Sequence, residues 1–223
     1  MNCMNKGCLI VFVGIDGSGK TTQAKILLRG LGEEGIKATY VWCRWEPFLL
    51  RPLIKRWKNK NAGKSDSGSV AVRNKKQKLL DRPVFRWLWL SSFFIDYGLQ
   101  IFLKVRVKLL MRRLVISDRI FYDSIIDQAV NLGNRSDWLL NSMDSFWMRM
   151  FFPQPQLVIY VDCPEDIAFS RKDDAPDVEY LIDRRKQYLK LAEKYGWMKV
   201  DGTMQVEKLA ARIKDEIMER VGL

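Results

Sequence analysis

The stretch that decides the fold runs from Leu9 to Thr22 and has the sequence LIVFVGIDGSGKTT. Its first five residues form an uninterrupted apolar run, which is typical of a strand buried on both faces of a parallel sheet. The remainder satisfies the pattern G-x-x-x-x-G-K-[ST], with Gly14 and Gly19 as the fixed glycines, followed by Lys20 and Thr21. This pattern predicts a loop that holds the phosphates of a nucleotide, and it leaves open which molecule receives a phosphoryl group.

The residue types in this loop each suit phosphate binding. Glycines allow the backbone to turn so that successive amide N–H groups face phosphate oxygens, at the positive end of the helix that starts near Lys20. Lys20 would reach the β and γ phosphates, and Thr21 would ligate Mg²⁺. An ordinary glycine-rich turn is the alternative interpretation. The residues predicted to bind the nucleotide are Gly14, Gly17, Ser18, Gly19, Lys20, Thr21 and Thr22.

Strand patterns alternate with helical patterns along the rest of the chain. Predicted strands cover residues 9–13, 37–47, Leu114–Asp118, Leu157–Asp162 and 198–202, and predicted helices begin at Lys20 and cover 87–103, Val178–Tyr195 and Val206–Val221. Such alternation predicts an α/β fold with helices on both faces of a mostly parallel sheet of about five strands. A chain of 223 residues suffices for one domain, so we expect a single domain over residues 1–223.

Composition restricts the chemistry. The chain has 38 Lys and Arg against 26 Asp and Glu, a net charge of +12 that favours phosphorylated ligands, nucleic acid or an anionic membrane surface without choosing among them. It has no histidine, and its four cysteines lack the C-x-x-C spacing of a zinc site. Catalysis must therefore depend on carboxylates, Lys, Arg and bound Mg²⁺. The apolar run at residues 9–13 is too short for a signal peptide, so we expect a cytoplasmic protein with reduced thiols.

Two segments bear on partners. Residues 58–78 are polar, basic and rich in Gly, Ser and Asn, so we predict a mobile surface loop. Because this loop contains no recognisable nucleic-acid-binding motif, we predict no specific nucleic-acid partner. Residues 87–103 are strongly apolar, with Asp96 as their only charge, and a basic tract follows. This segment favours a buried helix over a membrane span, while binding to a membrane surface is left open.

A carboxylate closes the apolar strand at Leu114–Asp118, and Arg119 follows it. Ligands of open parallel sheets bind at the carboxyl ends of the strands, so Asp118 is expected beside the phosphate loop. There Asp118 would hold Mg²⁺ through water or orient an acceptor, and Arg119 would clamp an anionic acceptor. The alternative is an N-cap aspartate followed by a surface arginine.

At this point the chain resembles the thymidylate kinases of the nucleoside monophosphate kinase group. Five segments carry the resemblance, which is weakest between residues 48 and 86. They are FVGIDGSGKTTQ at 12–23, RWEP at 44–47, VISDRIFYDSIIDQ at 115–128, LVIYVDCPEDIAFSRK at 157–172 and EYLIDRRKQYLKLAEKY at 179–195.

The resemblance implies a three-layer P-loop kinase fold, a homodimer, and transfer of the γ-phosphoryl group of Mg-ATP to dTMP. It implies catalytic roles for Lys20, Asp16, Asp118 and Arg171, the last at the start of a short lid over residues 171–178. Thr21 and Asp118 are the implied metal-binding residues. The implied substrate-binding residues are Arg44, Glu46, Tyr97, Arg119, Ser124 and Gln128.

The chain departs from the family pattern around the acceptor. Ile120 replaces a tyrosine, Asp123 lies in a segment that is serine-rich in the family, and Tyr97 replaces an arginine. One alternative is therefore a kinase acting on another nucleoside monophosphate or on a non-nucleotide acceptor, including one at a membrane surface. A nucleotide-dependent switch is a further alternative, although the guanine-reading N-K-x-D is missing from the sequence.

Overall fold

The computed structural model describes residues 7–48, 51, 55, 56, 81–132, 137–171 and 178–221. Within these residues the strands are β1 (Cys8–Val13), β2 (Ala38–Trp42), β3 (Leu114–Asp118), β4 (Leu157–Asp162) and β5 (Met198–Asp201). They form one sheet in the order β2-β3-β1-β4-β5, and every neighbouring pair is parallel. The predicted α/β class with a parallel sheet of about five strands is confirmed.

The described helices are α1 (Lys20–Glu33), α2 (Pro83–Ile101), α3 (Val107–Leu110), α4 (Phe121–Leu132), α5 (Asp137–Asn141), α6 (Phe146–Phe151), α7 (Glu165–Ser170), α8 (Val178–Tyr195) and α9 (Val206–Val221). A π-helical turn joins α2 to α3, and a 3-10 turn joins α5 to α6. The sequence patterns predicted α1, α2, α8 and α9. They did not predict the helices between β3 and β4.

β1 is buried on both faces, and its alternating side chains belong to two separate cores. Leu9, Val11 and Val13 pack in one cluster with apolar residues of α2, α4 and α8. Ile10 and Phe12 pack in a second cluster with residues of α1 and α9. Because side chains alternate along a strand, one continuous apolar run supplies both cores and requires a helical layer on each side. The molecule therefore has three layers, as predicted.

The prediction of a strand over residues 37–47 was wrong at its carboxyl end, because β2 stops at Trp42. Its neighbour β3 ends at Asp118, and the Cys43 amide donates the last bond to the Asp118 carbonyl oxygen, 3.1 Å away. Beyond this point none of the described strands pairs with it. The chain turns instead toward α2, where the Phe48 amide donates to Asp96 Oδ2 at 2.7 Å.

The helix predicted at 87–103 begins earlier, and only one of its faces is buried. The buried residues of α2 are Leu90, Phe93, Asp96, Tyr97, Gly98 and Ile101. On the other face Trp87 and Leu88 are each 60% exposed and Ile95 is 66% exposed. Among the described residues, Pro83–Leu110 is long and apolar enough to cross a membrane, but a single partly buried helix of this kind is weak evidence of a span.

Two predicted segments lie outside the described residues. These are the basic loop at 58–78 and, apart from Arg171 and Val178, the lid at 171–178.

The central position of β1 leads to a stability prediction. Replacing Ile10, which is fully buried in the second core, with Ala should lower the free energy of unfolding by about 2–5 kcal/mol, because it leaves a cavity between the sheet and α1. Urea denaturation would measure the change. Gly32→Ala, in α1, is the control of opposite sign: a Cβ there meets no atom within 4 Å, and the substitution should stabilise by about 0.5–1 kcal/mol. Equal stability of Ile10→Ala and wild type would contradict this assignment of the core.

Candidate active site

The loop after β1 has the backbone geometry of a phosphate cradle. Gly17 and Gly19 have φ of 87° and 93°, in the left-handed region that favours glycine. A Cβ at Gly17 would lie 2.0 Å from the Ala168 carbonyl oxygen, so the loop packs directly on α7. Gly19 caps α1 without any side-chain hydrogen bond, which leaves amide N–H groups at this helix end available to an anion.

A cleft of about 440 Å³ opens on this loop. Its other wall is the segment after β5, where Met204, Val206 and Leu209 provide apolar surface. Two side chains tie the walls together: Gln23 Nε2 donates to the Val206 carbonyl oxygen at 3.0 Å, and Arg171 Nη1 donates to the Gly202 carbonyl oxygen at 2.9 Å. The cleft is lined by Asp16, Gly17, Ser18, Gly19, Lys20, Thr21, Thr22, Gln23, Arg119, Arg171, Gly202, Met204, Val206 and Leu209.

Lys20 is buried beneath the loop that it belongs to. Its Nζ donates to the Ile15 carbonyl oxygen at 2.7 Å and lies 3.5 Å from Asp16 Oδ1. Burial, together with the nearby charge of Arg119, lowers the pKa of Lys20 to about 7, although Asp16 and Asp123 act in the opposite direction. Because a desolvated ammonium is stabilised by added negative charge, this lysine is suited to hold phosphate oxygens.

The side chains of Thr21 and Asp118 meet at the carboxyl edge of the sheet. The Thr21 hydroxyl donates to Asp118 Oδ2 at 2.6 Å, and the Tyr40 hydroxyl donates to the same oxygen at 3.0 Å. Asp118 Oδ1 is buried and has no hydrogen-bond partner among the residues that the structure describes. A hydroxyl beside a carboxylate oxygen that lacks a partner is the donor set that Mg²⁺ prefers.

The described residues contain no cluster of three or more His, Cys, Asp or Glu that could hold a metal by itself. Mg²⁺ at nucleotide phosphates takes only one or two protein ligands and completes its shell with phosphate and water. Thr21 and Asp118 therefore fit the ion that the sequence analysis assigned to them.

Asp16 and Arg119 form a buried ion pair across the loop. Arg119 Nη2 bonds Asp16 Oδ1, and Arg119 Nη1 lies 3.7 Å from Asp123 Oδ1. Burial would raise the pKa of Asp16, but Arg119, Arg184 and Lys20 outweigh it and hold this pKa well below its usual range. The Arg119 backbone is also constrained, since φ is 70° and its amide donates to the Phe12 carbonyl oxygen at 3.0 Å.

Arg184 completes this charge cluster from α8, and the predicted site did not include it. Its side chain is fully buried, with Nη1 3.4 Å from Asp16 Oδ2 and Nη2 3.1 Å from Asp127 Oδ1. The Tyr188 hydroxyl accepts from Arg184 Nη2 at 3.1 Å and donates to Asp123 Oδ1 at 2.6 Å. Burial is the first cause of the raised pKa of Asp123.

Sequence signals for these additional residues did exist. Asp123 and Asp127 follow Arg119 at intervals of four, which places all three along one line when the segment is helical. Arg184 occupies an inner position of an amphipathic helix, between Leu181 and Tyr188. A charge on an apolar face predicts a buried partner, although its identity cannot be read from α8 alone.

Several buried polar atoms of the site have no hydrogen-bond partner within the described part of the chain. Because buried polar groups are normally paired, a cluster of such atoms at one cleft indicates that a polar ligand belongs there. The atoms around the phosphate loop are Ser18 Oγ, Gln23 Oε1, Asp118 Oδ1 and Arg119 Nη1.

The remaining predicted substrate residues do not line this cleft. Arg44 and Glu46 are exposed beyond β2. Tyr97 is buried in the first core, where its hydroxyl donates to the Cys43 carbonyl oxygen at 2.6 Å. Ser124 is buried in α4, and Gln128 Oε1 accepts from Trp89 Nε1 at 2.8 Å.

Comparison with curated proteins finds relatives along almost the whole chain. A probable thymidylate kinase of Metallosphaera sedula is 30% identical and aligns with 91% of this chain and 88% of its own length. A probable thymidylate kinase 1 of Saccharolobus solfataricus is 31% identical over 95% of this chain and 93% of its own. One from Sulfurisphaera tokodaii is 32% identical over 91% and 92%. No protein-family model matches the chain. At this identity and coverage, the chain belongs to the thymidylate kinase family.

Proposed function

We propose that this protein transfers the γ-phosphoryl group of ATP to dTMP, giving ADP and dTDP. The observation that carries the proposal is the juxtaposition, in one cleft, of the phosphate loop with the buried guanidinium of Arg119. The first feature suits the donor phosphates and the second suits the phosphate of an anionic acceptor. The relatives are named as thymidylate kinases, which supports dTMP as that acceptor.

The donor would lie along the cleft. Its phosphates would accept hydrogen bonds from the loop amides and from Lys20, and its base would contact the apolar side chains of Met204, Val206 and Leu209. Arg171 donates to the segment after β5 and borders the same cleft, so it is suited to neutralise charge on the transferring group.

Thr21 and Asp118 would hold Mg²⁺, as their paired oxygens suggest. When bound, the ion would neutralise charge between donor phosphate oxygens. The contribution of the protein is to orient these two oxygens. Tyr40 supports that orientation by donating to the same carboxylate oxygen as Thr21.

On the acceptor side, Arg119 would clamp the acceptor phosphate and Asp16 would orient the clamp. Phosphoryl transfer depends mainly on positioning and charge stabilisation, so a site without histidine is chemically sufficient. Roles for Arg44, Glu46, Tyr97, Ser124 and Gln128 remain predictions. We also propose a single kinase domain over residues 1–223, with a lid at 171–178, in the cytoplasm.

A different acceptor is the second candidate, and the environment of Tyr97 favours it. The hydroxyl of Tyr97 already donates to the Cys43 carbonyl oxygen, and its ring packs between Phe93 and Phe152. Tyr97 replaces the arginine usual in the family, so it brings no positive charge to the acceptor region. An acceptor other than dTMP would then be preferred, with the donor side unchanged.

The exposed face of α2 supports a homodimer. Ile95 and Leu99 of α2 and Leu103 of the π-helical turn after it are 66%, 48% and 58% exposed at spacings of four residues, so they form one apolar stripe. Exposed apolar stripes of this kind mark interaction surfaces. We propose that a second copy of the chain covers it, and a membrane surface is the alternative that the test below separates.

The acceptor prediction is tested by ADP production from purified protein with Mg-ATP and dTMP, dUMP, UMP, CMP, dCMP, AMP or GMP. We expect the highest kcat/KM with dTMP, because that is the acceptor named for the relatives. Lys20→Ala is the blank and should reduce turnover by about 100-fold or more, since a donor contact at the reacting phosphate is lost. Preference for another monophosphate would favour the second candidate. ATP binding without turnover on any of the seven would contradict a nucleoside monophosphate kinase.

Magnesium dependence gives a separate test at Thr21. Thr21→Val removes the hydroxyl at nearly constant volume, so it should raise the Mg²⁺ concentration for half-maximal rate and lower kcat by about 100-fold. Thr21→Ser keeps the hydroxyl and is the matched control, which should stay within about threefold of wild type. EDTA should stop turnover in all three proteins. An unchanged Mg²⁺ response in Thr21→Val would remove Thr21 from the proposed metal site.

The dimer is tested by light scattering after size exclusion. We expect wild type to have twice the mass of the chain, and Leu99→Glu to have the mass of one chain, because each subunit would bury an unpaired charge at the contact. Lys190→Glu, on the exposed side of α8, is the control and should leave the mass unchanged. Wild type with the mass of one chain, sedimenting with anionic lipid vesicles but not with neutral ones, would support the membrane surface instead.

A further inference from the structure

Arg184 occupies a buried position in which a charged side chain is energetically unfavourable. It is the largest of the fully buried side chains, and it lies on the inner face of α8 among Leu181, Tyr188 and Leu191. Burying a guanidinium removes its hydration, and a well-packed apolar residue is often no less stabilising at such a site. Packing alone therefore does not explain an arginine here.

The surroundings of Arg184 compensate its charge from opposite sides. Nη1 reaches Asp16 Oδ2 at 3.4 Å, while Nη2 reaches Asp127 Oδ1 at 3.1 Å. The rings of Tyr180 and Tyr188 lie 5.5 and 5.7 Å from its Cζ, within the range of cation–π contact. Burial alone would lower the pKa of Arg184, but Asp127 and its other neighbours raise it well above its ordinary value, so the guanidinium stays charged.

Asp16 connects the guanidinium of Arg184 to that of Arg119, the residue proposed to bind the acceptor phosphate. Arg184 contacts Oδ2 of Asp16, and Arg119 and Lys20 are at Oδ1, so the carboxylate is held from both sides and cannot rotate freely. Asp16 in turn holds Nη2 of Arg119, whose buried Nη1 lies 3.7 Å from Asp123 Oδ1 and makes no hydrogen bond to any described residue. The orientation of the Arg119 guanidinium therefore depends on Asp16, and the orientation of Asp16 depends on Arg184.

We propose that Arg184 is a positioning residue for the acceptor phosphate: it fixes the Asp16 carboxylate and, through it, the Arg119 guanidinium. This inference rests on the proposed function, because it assigns Arg119 to the acceptor. Arg184 itself does not line the cleft, so in this proposal it would touch neither substrate. A merely structural residue would affect stability alone, whereas a positioning residue affects acceptor binding in the folded enzyme.

The test compares KM for dTMP with KM for ATP in Arg184→Met, which replaces the guanidinium with a neutral, unbranched side chain. Misplacing the clamp should raise KM for dTMP by about 10- to 100-fold and leave KM for ATP within about threefold, because Arg184 contacts the phosphate loop at Asp16, the residue that holds Arg119. Arg184→Lys retains charge without the planar fork and should give an intermediate KM for dTMP.

A variant at Asp127 distinguishes a positioning role of Arg184 from a purely structural role. Arg184→Met leaves Asp127 without this partner, so the variant should lose stability, and adding Asp127→Asn should restore part of the lost stability. The double variant still lacks the contact to Asp16, so its KM for dTMP should remain raised. Asp127→Asn alone keeps that contact and should have a KM for dTMP within about threefold of wild type.

Each outcome decides between the hypotheses. A double variant that regains both stability and wild-type KM for dTMP would show that Arg184 is only structural and would overturn the inference. Equilibrium binding of dTMP, measured by calorimetry on the same proteins, should weaken in Arg184→Met and in the double variant. If wild type neither binds nor phosphorylates dTMP, the proposed function fails. If wild type phosphorylates dTMP and Arg184→Met keeps its affinity, only the inference fails.

Discussion

The burial of β1 on both faces and along both edges is the constraint on which the rest of the structure depends. All six of its residues are buried, and it hydrogen-bonds to β3 on one side and β4 on the other. A strand in this position must be followed by a loop at the carboxyl edge of the sheet, between the ends of its two neighbours. Asp118 at the end of β3 therefore lies close enough to bond Thr21.

Close packing holds the loop at this edge. A Cβ on Gly14 would lie 2.6 Å from the Val161 carbonyl oxygen, and one on Gly17 would lie 2.0 Å from that of Ala168. The loop thus contacts the end of β4 and the following helix through its backbone. Only glycine permits these approaches, and the same approaches keep the amide groups in a fixed arrangement for phosphate. Core packing and the proposed phosphate binding therefore constrain the same residues.

Electrostatic balance around Asp16 links the elements of the site. Lys20, Arg119 and Arg184 face Asp16, Asp123 and Asp127 in a largely buried region, so three cations meet three carboxylates. Removing one member leaves a buried charge without compensation, which is more costly than the loss of one favourable contact. The network also connects the loop after β1 with α4 and α8. A change on any of these elements can therefore affect the geometry at Arg119.

The sequence by itself determined the fold class and predicted the phosphate loop that we propose for the donor. A continuous apolar strand followed by glycines, Lys20 and Thr21 requires only local geometry, because backbone amides, lysine and threonine lie within one loop and one helix end. Helix and strand patterns likewise predicted the five strands of the sheet, but the prediction made β2 too long. The residues of β2 alone do not show where the neighbouring strand β3 ends.

Only the tertiary structure decided which distant residues meet around Asp16 and Arg119. Arg184 lies 168 positions from Asp16 and contacts it because α8 packs on the same face of the sheet as α4. Tyr97 lies in the core because its hydroxyl meets a backbone carbonyl of the segment after β2. Such contacts depend on how helices pack across a sheet; a local pattern can indicate that a residue is buried, but not which distant residue it meets.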